Sequence, residues 1–94
     1  MTSYIKVKWR HNDFEYPVLL YSELDDARWE IRKIEIWSDG KVGYASNTSD
    51  NGDTRLGLAP VPSVASIASD NQFEPIEISK TEFEEIWAKS VVSN

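Results

Sequence analysis

The apolar residues of this chain change their spacing once. In Tyr4–Arg10 they recur at every second position, Ile5, Val7 and Trp9 alternating with Lys6, Lys8 and Arg10. That pattern suits a strand with one face buried and the other in water. Near the other end the spacing is helical: Phe83, Ile86 and Trp87 share one stripe, which Val91 extends. Strand patterns fill the first half and helical patterns close the chain. This order predicts an α+β protein rather than alternating βαβ units.

The punctuation between these runs sharpens the expectation. His11-Asn12-Asp13 is turn chemistry, and Pro17, which has no backbone N–H, suits the start of a second strand through Ser22. Glu23–Asp26 predicts the next turn, and Ala27–Trp37 a long strand with a fault in it. Trp29 and Ile31 have one parity, Ile34 and Ile36 the other. A β-bulge at Arg32-Lys33 would return all four to one core; without one, the strand must be partly covered on both faces. Asp39-Gly40 predicts a two-residue hairpin with both residues at positive φ. Residues 46–55, SNTSDNGDTR, carry no large apolar side chain and read as a loop. Leu56 and Leu58 return the chain to the core. Ser63 is placed to cap a short helix carrying Val64 and Ile67. Phe73–Ile78 reads as a short strand or extended edge, and Ser79-Lys80-Thr81-Glu82 as a capping box opening the last helix.

The expected fold is one domain over residues 1–94, α+β. It has a single antiparallel sheet of four to five strands, a C-terminal helix packed on one face and a short extra helix. The expected core is single, drawing Ile5, Val7, Trp9, Leu20, Trp29, Ile31, Ile34 and Ile36 against Phe83, Ile86 and Trp87. With 94 residues and no cysteine, that core stands without disulfides or thiolate metal sites. No apolar run approaches the ~20 residues that span a bilayer. The N-terminus has no signal-peptide pattern, so a cytoplasmic location is expected.

The net charge of −6 is unevenly spread. Residues 1–45 hold seven basic and eight acidic groups, net −1; residues 46–94 hold three and eight, net −5. An acidic surface repels phosphate backbones and suits a basic protein partner. The same charge also serves solubility alone.

The segments YIKVKW at 4–9, PVLLYSELDDARWEIRKIEIWSDGKVGYA at 17–45, LGLAPVPS at 56–63 and EISKTEFEEIW at 77–87 give the chain a family likeness. It resembles, over nearly its full length, a family of small bacterial proteins classed as a domain of unknown function. The resemblance implies the same fold and boundaries and carries no catalytic residue with it. A looser likeness links such small acidic α+β proteins to the immunity proteins of bacterial toxin systems, including contact-dependent inhibition.

Candidate chemistry is sparse. His11, the sole histidine, has Asp13 nearby, but no nucleophile completes a set at recognisable spacing, so a turn role is the simpler reading. Asp50-Asn51-Gly52-Asp53 offers oxygen ligands without the calcium-loop spacing, and no metal or cofactor is expected. Lys6, Lys8 and Arg10 form a basic stripe beside Tyr4 and Trp9, which suggests an RNA-binding sheet. No RNP-type motif is present, and the acidic whole argues against nucleic acid. The charges of residues 22–40 read mainly as a solvated, register-fixing face, with Glu23 approaching Arg28. Asp25 and Asp26 in the turn, and Asp50 and Asp53 in the loop, are the residues expected to meet a partner.

Two functions of different classes follow. The first is a non-enzymatic immunity protein that occludes the basic active site of a toxin C-terminal domain, a nuclease being the natural target. The alternative is a small-ligand binder or enzyme using an aromatic pocket on the sheet.

Overall fold

The computed structural model describes residues 2–93, with side chains through residue 92. Five strands and two helices follow in the order β1 (Ser3–Trp9), β2 (Leu19–Leu24), β3 (Glu30–Ile36), β4 (Val42–Ser46), α1 (Val64–Ala68), β5 (Phe73–Glu77) and α2 (Lys80–Ser93). The strands form one sheet in the order β4-β3-β2-β1-β5. Every pairing is antiparallel. β5 reaches β1 only after the chain has crossed a face of the sheet. Its Pro75 lies on the sheet edge opposite Val7, where a missing N–H costs no ladder bond.

Both faces of the sheet are covered. On one, Tyr21, Ile34 and Phe83 are buried with Ile36, Ile86 and Trp87 packed against them under α2. On the other, Ile5, Val7 and Leu24 are buried beneath Val61, Val64, Ile67 and Phe73. The single expected core is therefore two cores, one per face. Trp29 belongs to neither and is 42% exposed. Both predicted helix caps form: Glu82 N–H donates to Ser79 Oγ at 3.0 Å, and Ser66 N–H to Ser63 Oγ at 3.1 Å.

The parity fault in β3 resolves as a bulge one residue earlier than expected. Glu23 pairs with Arg32, whereas its neighbour Leu24 pairs with Glu30, leaving Ile31 as the extra residue. The bulge gathers no four residues into one core. It sends Arg32 to the α2 face and Glu30 to the opposite one.

The hairpins also differ from expectation. At Trp37–Lys41 only Gly40 has positive φ, 91°. Gly40 N–H donates to Trp37 O and Trp37 N–H to Lys41 O, a three-residue loop ending in a left-handed residue. The β2–β3 turn repeats those bonds, Arg28 to Asp25 and Asp25 to Trp29, with Arg28 at φ 67° in the place of the glycine. Arg28 does not meet Glu23. Its Nε donates to Val61 O at 2.8 Å and its Nη2 to Pro62 O at 2.7 Å, pinning the covering segment to the sheet.

Candidate functional site

The four aspartates expected at an interface stand apart. Asp25 and Asp26 occupy the β2–β3 turn, while Asp50 and Asp53 lie in the loop that runs back along β4. Asp25 Oδ1 accepts from the N–H groups of Ala27 and Trp29 at 3.0 and 2.9 Å. Asp50 Oδ1 accepts from Gly52 N–H at 2.8 Å, and Asp53 pairs with Lys41 at 3.4 Å. Three of these carboxylates thus build or brace their own loops.

The β1–β2 loop has a different character. His11 Nδ1 accepts from Asp13 N–H at 3.0 Å, which assigns the ring proton to Nε2, 2.8 Å from Pro17 O. Both ring nitrogens are spent on holding the loop. Glu15 N–H donates to Asp13 Oδ1 at 2.9 Å, and Trp37 Nε1–H donates to Glu15 O at 3.1 Å. The Trp9 ring lies 4.6 Å from His11 and 5.5 Å from Tyr16. From this braced frame Phe14, flanked in sequence by Asp13 and Glu15, projects 83% exposed, and Tyr16 is 50% exposed. Sequence reasoning passed over the pair. The signal was there in Asp13-Phe14-Glu15-Tyr16, large aromatics inside a polar turn with no strand or helix to bury them.

On the α2 side, the sheet surface continues past the helix as an open groove of about 590 Å³. Register places Lys6 beside Tyr21 and Ile76, and Lys8 beside Leu19 and Glu74. Val18 completes the apolar floor, with Arg10 at the rim. Arg10 binds Glu74 at 2.5 Å and donates to Asn71 O at 2.8 Å.

Under α2 lies the most tightly held charge. Arg32 reaches Glu23 through Nε at 2.5 Å and Glu84 through both terminal nitrogens at 2.8 and 3.1 Å. Its guanidinium sits 4.9 Å from the Phe83 ring centre and 5.1 Å from that of Trp87. Hydrogen bonds to these carboxylates raise the Arg32 pKa, and the same contact lowers that of Glu84. Burial, then the hydrogen bond to Glu23, raises that of Tyr4. Behind the sheet, Glu30 accepts from Ser22 Oγ at 2.9 Å and Gly57 N–H at 2.6 Å, with Lys33 Nζ 3.6 Å away. These partners make both clusters structural. Among the described residues no group of three His, Cys, Asp or Glu side chains is placed to hold a metal ion. No helix among the described residues is long and apolar enough to cross a membrane.

Fold and surface together define a small α+β domain, a five-stranded antiparallel sheet covered on both faces, with a braced aromatic loop at one end. The chain belongs to the family described as a domain of unknown function, DUF6881, whose model matches residues 3–92. No curated protein and no solved structure matches it.

Proposed function

We propose that this chain is a non-enzymatic protein-binding domain that masks a basic functional surface of a partner, acting as an immunity protein against a toxin domain in the cytoplasm. The observation that carries this reading is the braced loop tip, with Phe14 exposed between Asp13 and Glu15. A rigid aromatic loses little conformational freedom on docking, and such residues dominate binding energy when they enter a partner's pocket. The flanking carboxylates match a cleft built to hold phosphates, as a nuclease active site is. Asp53 faces the same end of the sheet through Lys41. Asp25, Asp26 and Asp50 add to the negative field that guides encounter.

The experiment is binding of the chain to the C-terminal domain of a toxin encoded beside it, read with protection of cells expressing that toxin. Phe14→Ala is expected to weaken binding at least about 30-fold, mostly through faster dissociation. Replacing Asp25, Asp26, Asp50 and Asp53 together by Asn is expected to slow association at low salt, because Asn keeps the turn hydrogen bonds and removes the charge. Binding and protection that survive Phe14→Ala would take the loop tip out of the interface. Failure of the chain to bind or protect would end the immunity reading.

A further inference from the structure

The groove beside α2 is a basic concavity on an acidic protein. Lys6 and Lys8 alternate along β1 and Arg10 follows just past its end, so the three side chains project to one face over about 14 Å. Lys6 leans over the Tyr21 ring at 5.7 Å. Among the described residues neither Lys6 nor Lys8 forms an ion pair. Glu74, the groove's one acid, is neutralised by Arg10. Beneath these charges the floor is apolar: Val18, Leu19 and Ile76, the last 50% exposed. Ile76 is a large side chain that the fold leaves without a cover at the bottom of a concave surface.

We propose that this groove binds a small organic anion with a flat apolar body, an aryl carboxylate or aryl phosphate. The body rests on Leu19 and Ile76, and the anionic head meets the Lys6 and Lys8 ammonium groups at the rim. The volume falls within the ~300–1,000 Å³ typical of small-ligand sites. The floor is a sheet surface one side chain deep, which suits a flat ligand lying along it. Compactness follows from the electrostatics. The basic stripe spans three side chains, and the chain as a whole carries −6, so a long polyanion leaving the groove would meet repulsion. This site is separate from the loop tip and stands or falls without the partner-binding reading.

The test is a ¹H–¹⁵N NMR titration of the full chain with 1-naphthyl phosphate, 1-naphthoate, uncharged 1-naphthol and inorganic phosphate. Both naphthyl anions are expected to shift the Lys8, Leu19 and Ile76 amides saturably, and the tighter one identifies the preferred head group. Naphthol and inorganic phosphate are expected to bind at least about tenfold more weakly, since each lacks one half of the recognition. Lys8→Gln and Ile76→Ser, with spectra otherwise retained, are each expected to weaken the anions about three- to tenfold. Naphthol binding as tightly as the anions, shifts confined to other surfaces, or an unchanged affinity in Lys8→Gln would overturn the proposal. Tighter binding of a single-stranded oligouridylate than of naphthyl phosphate would overturn it too, and assign the groove to nucleic acid.

Discussion

Arg32 shows how one side chain ties three elements together. It joins β2 through Glu23, joins α2 through Glu84, and lies against two aromatic rings of that helix. Glu23 is only 9% exposed, so removing the guanidinium leaves a buried carboxylate with the Tyr4 hydroxyl as donor and no charge partner. Arg32→Met is expected to cost about 3 kcal/mol in urea unfolding. Adding Glu23→Gln should recover part of that loss, because the neutral amide is cheaper to bury unpaired. Glu84 sets a pH dependence. Its pKa is lowered chiefly by the hydrogen bond from Arg32. Its contribution is therefore present above the ordinary carboxylate pKa of about 4.3 and is lost as pH falls through the lowered value. With 42% of the Glu84 side chain exposed, solvent screens the pair, and the effect should be a fraction of a kcal/mol. Melting temperature against pH should fall less steeply on the acid side in Glu84→Gln than in the parent.

Among the elements, the two hairpins are a matched pair with one difference. Both end in a left-handed residue, Gly40 in one and Arg28 in the other. Gly40 meets no steric penalty there, whereas Arg28 carries a strain of about 1–2 kcal/mol. Arg28 is held by its two bonds to the carbonyls of Val61 and Pro62, and Val61 N–H donates back to Arg28 O. Arg28→Ala keeps the strain and loses the side-chain bonds; Arg28→Gly loses the bonds and relieves the strain. The glycine variant should be the more stable of the two by roughly 1 kcal/mol, measured by urea unfolding. Equal stabilities would mean that the left-handed geometry is not retained without the arginine. β4 shows a related economy: Asn51 donates to Val42 O and accepts from Tyr44 N–H, so the following loop satisfies part of an otherwise open edge.

At the scale of the whole molecule, the sheet is a wall between two small cores. β1 and β2 carry residues of both, Ile5 and Leu24 facing one way, Tyr4 and Tyr21 the other. Breaking either strand removes packing from both sides at once. Native-state hydrogen exchange should therefore find its slowest amides in β1 and β2, with β4 and β5 opening at lower free energy. Slowest exchange in β4 would place the stability centre elsewhere. The two proposed binding features lie near the β1–β2 loop, the groove on the α2 face and the aromatic tip beyond it, so His11 and Trp9 border both.

What the sequence determined by itself was local. Period-two alternation fixed the faces of β1, and the Ser79–Glu82 box started α2, because each depends on neighbours within a few residues. The parity break in β3 announced either a bulge or a strand covered on both faces, and the stripe of Lys6, Lys8 and Arg10 that rims the groove was visible as alternation. Tertiary structure decided the rest. The bulge falls at Ile31 because register belongs to two strands, and Glu23 gains more from Arg32 than from Arg28. The core splits in two because residues 54–68 cross the second face, a path that no short-range pattern encodes. The groove needs Glu74 and Ile76, more than sixty residues from Lys6 and Lys8, and also needs α2 to stop short of them. Asp25 read as a charge meant for a partner, yet its oxygen turns inward to two N–H groups. Only the folded backbone shows which donors a carboxylate will find.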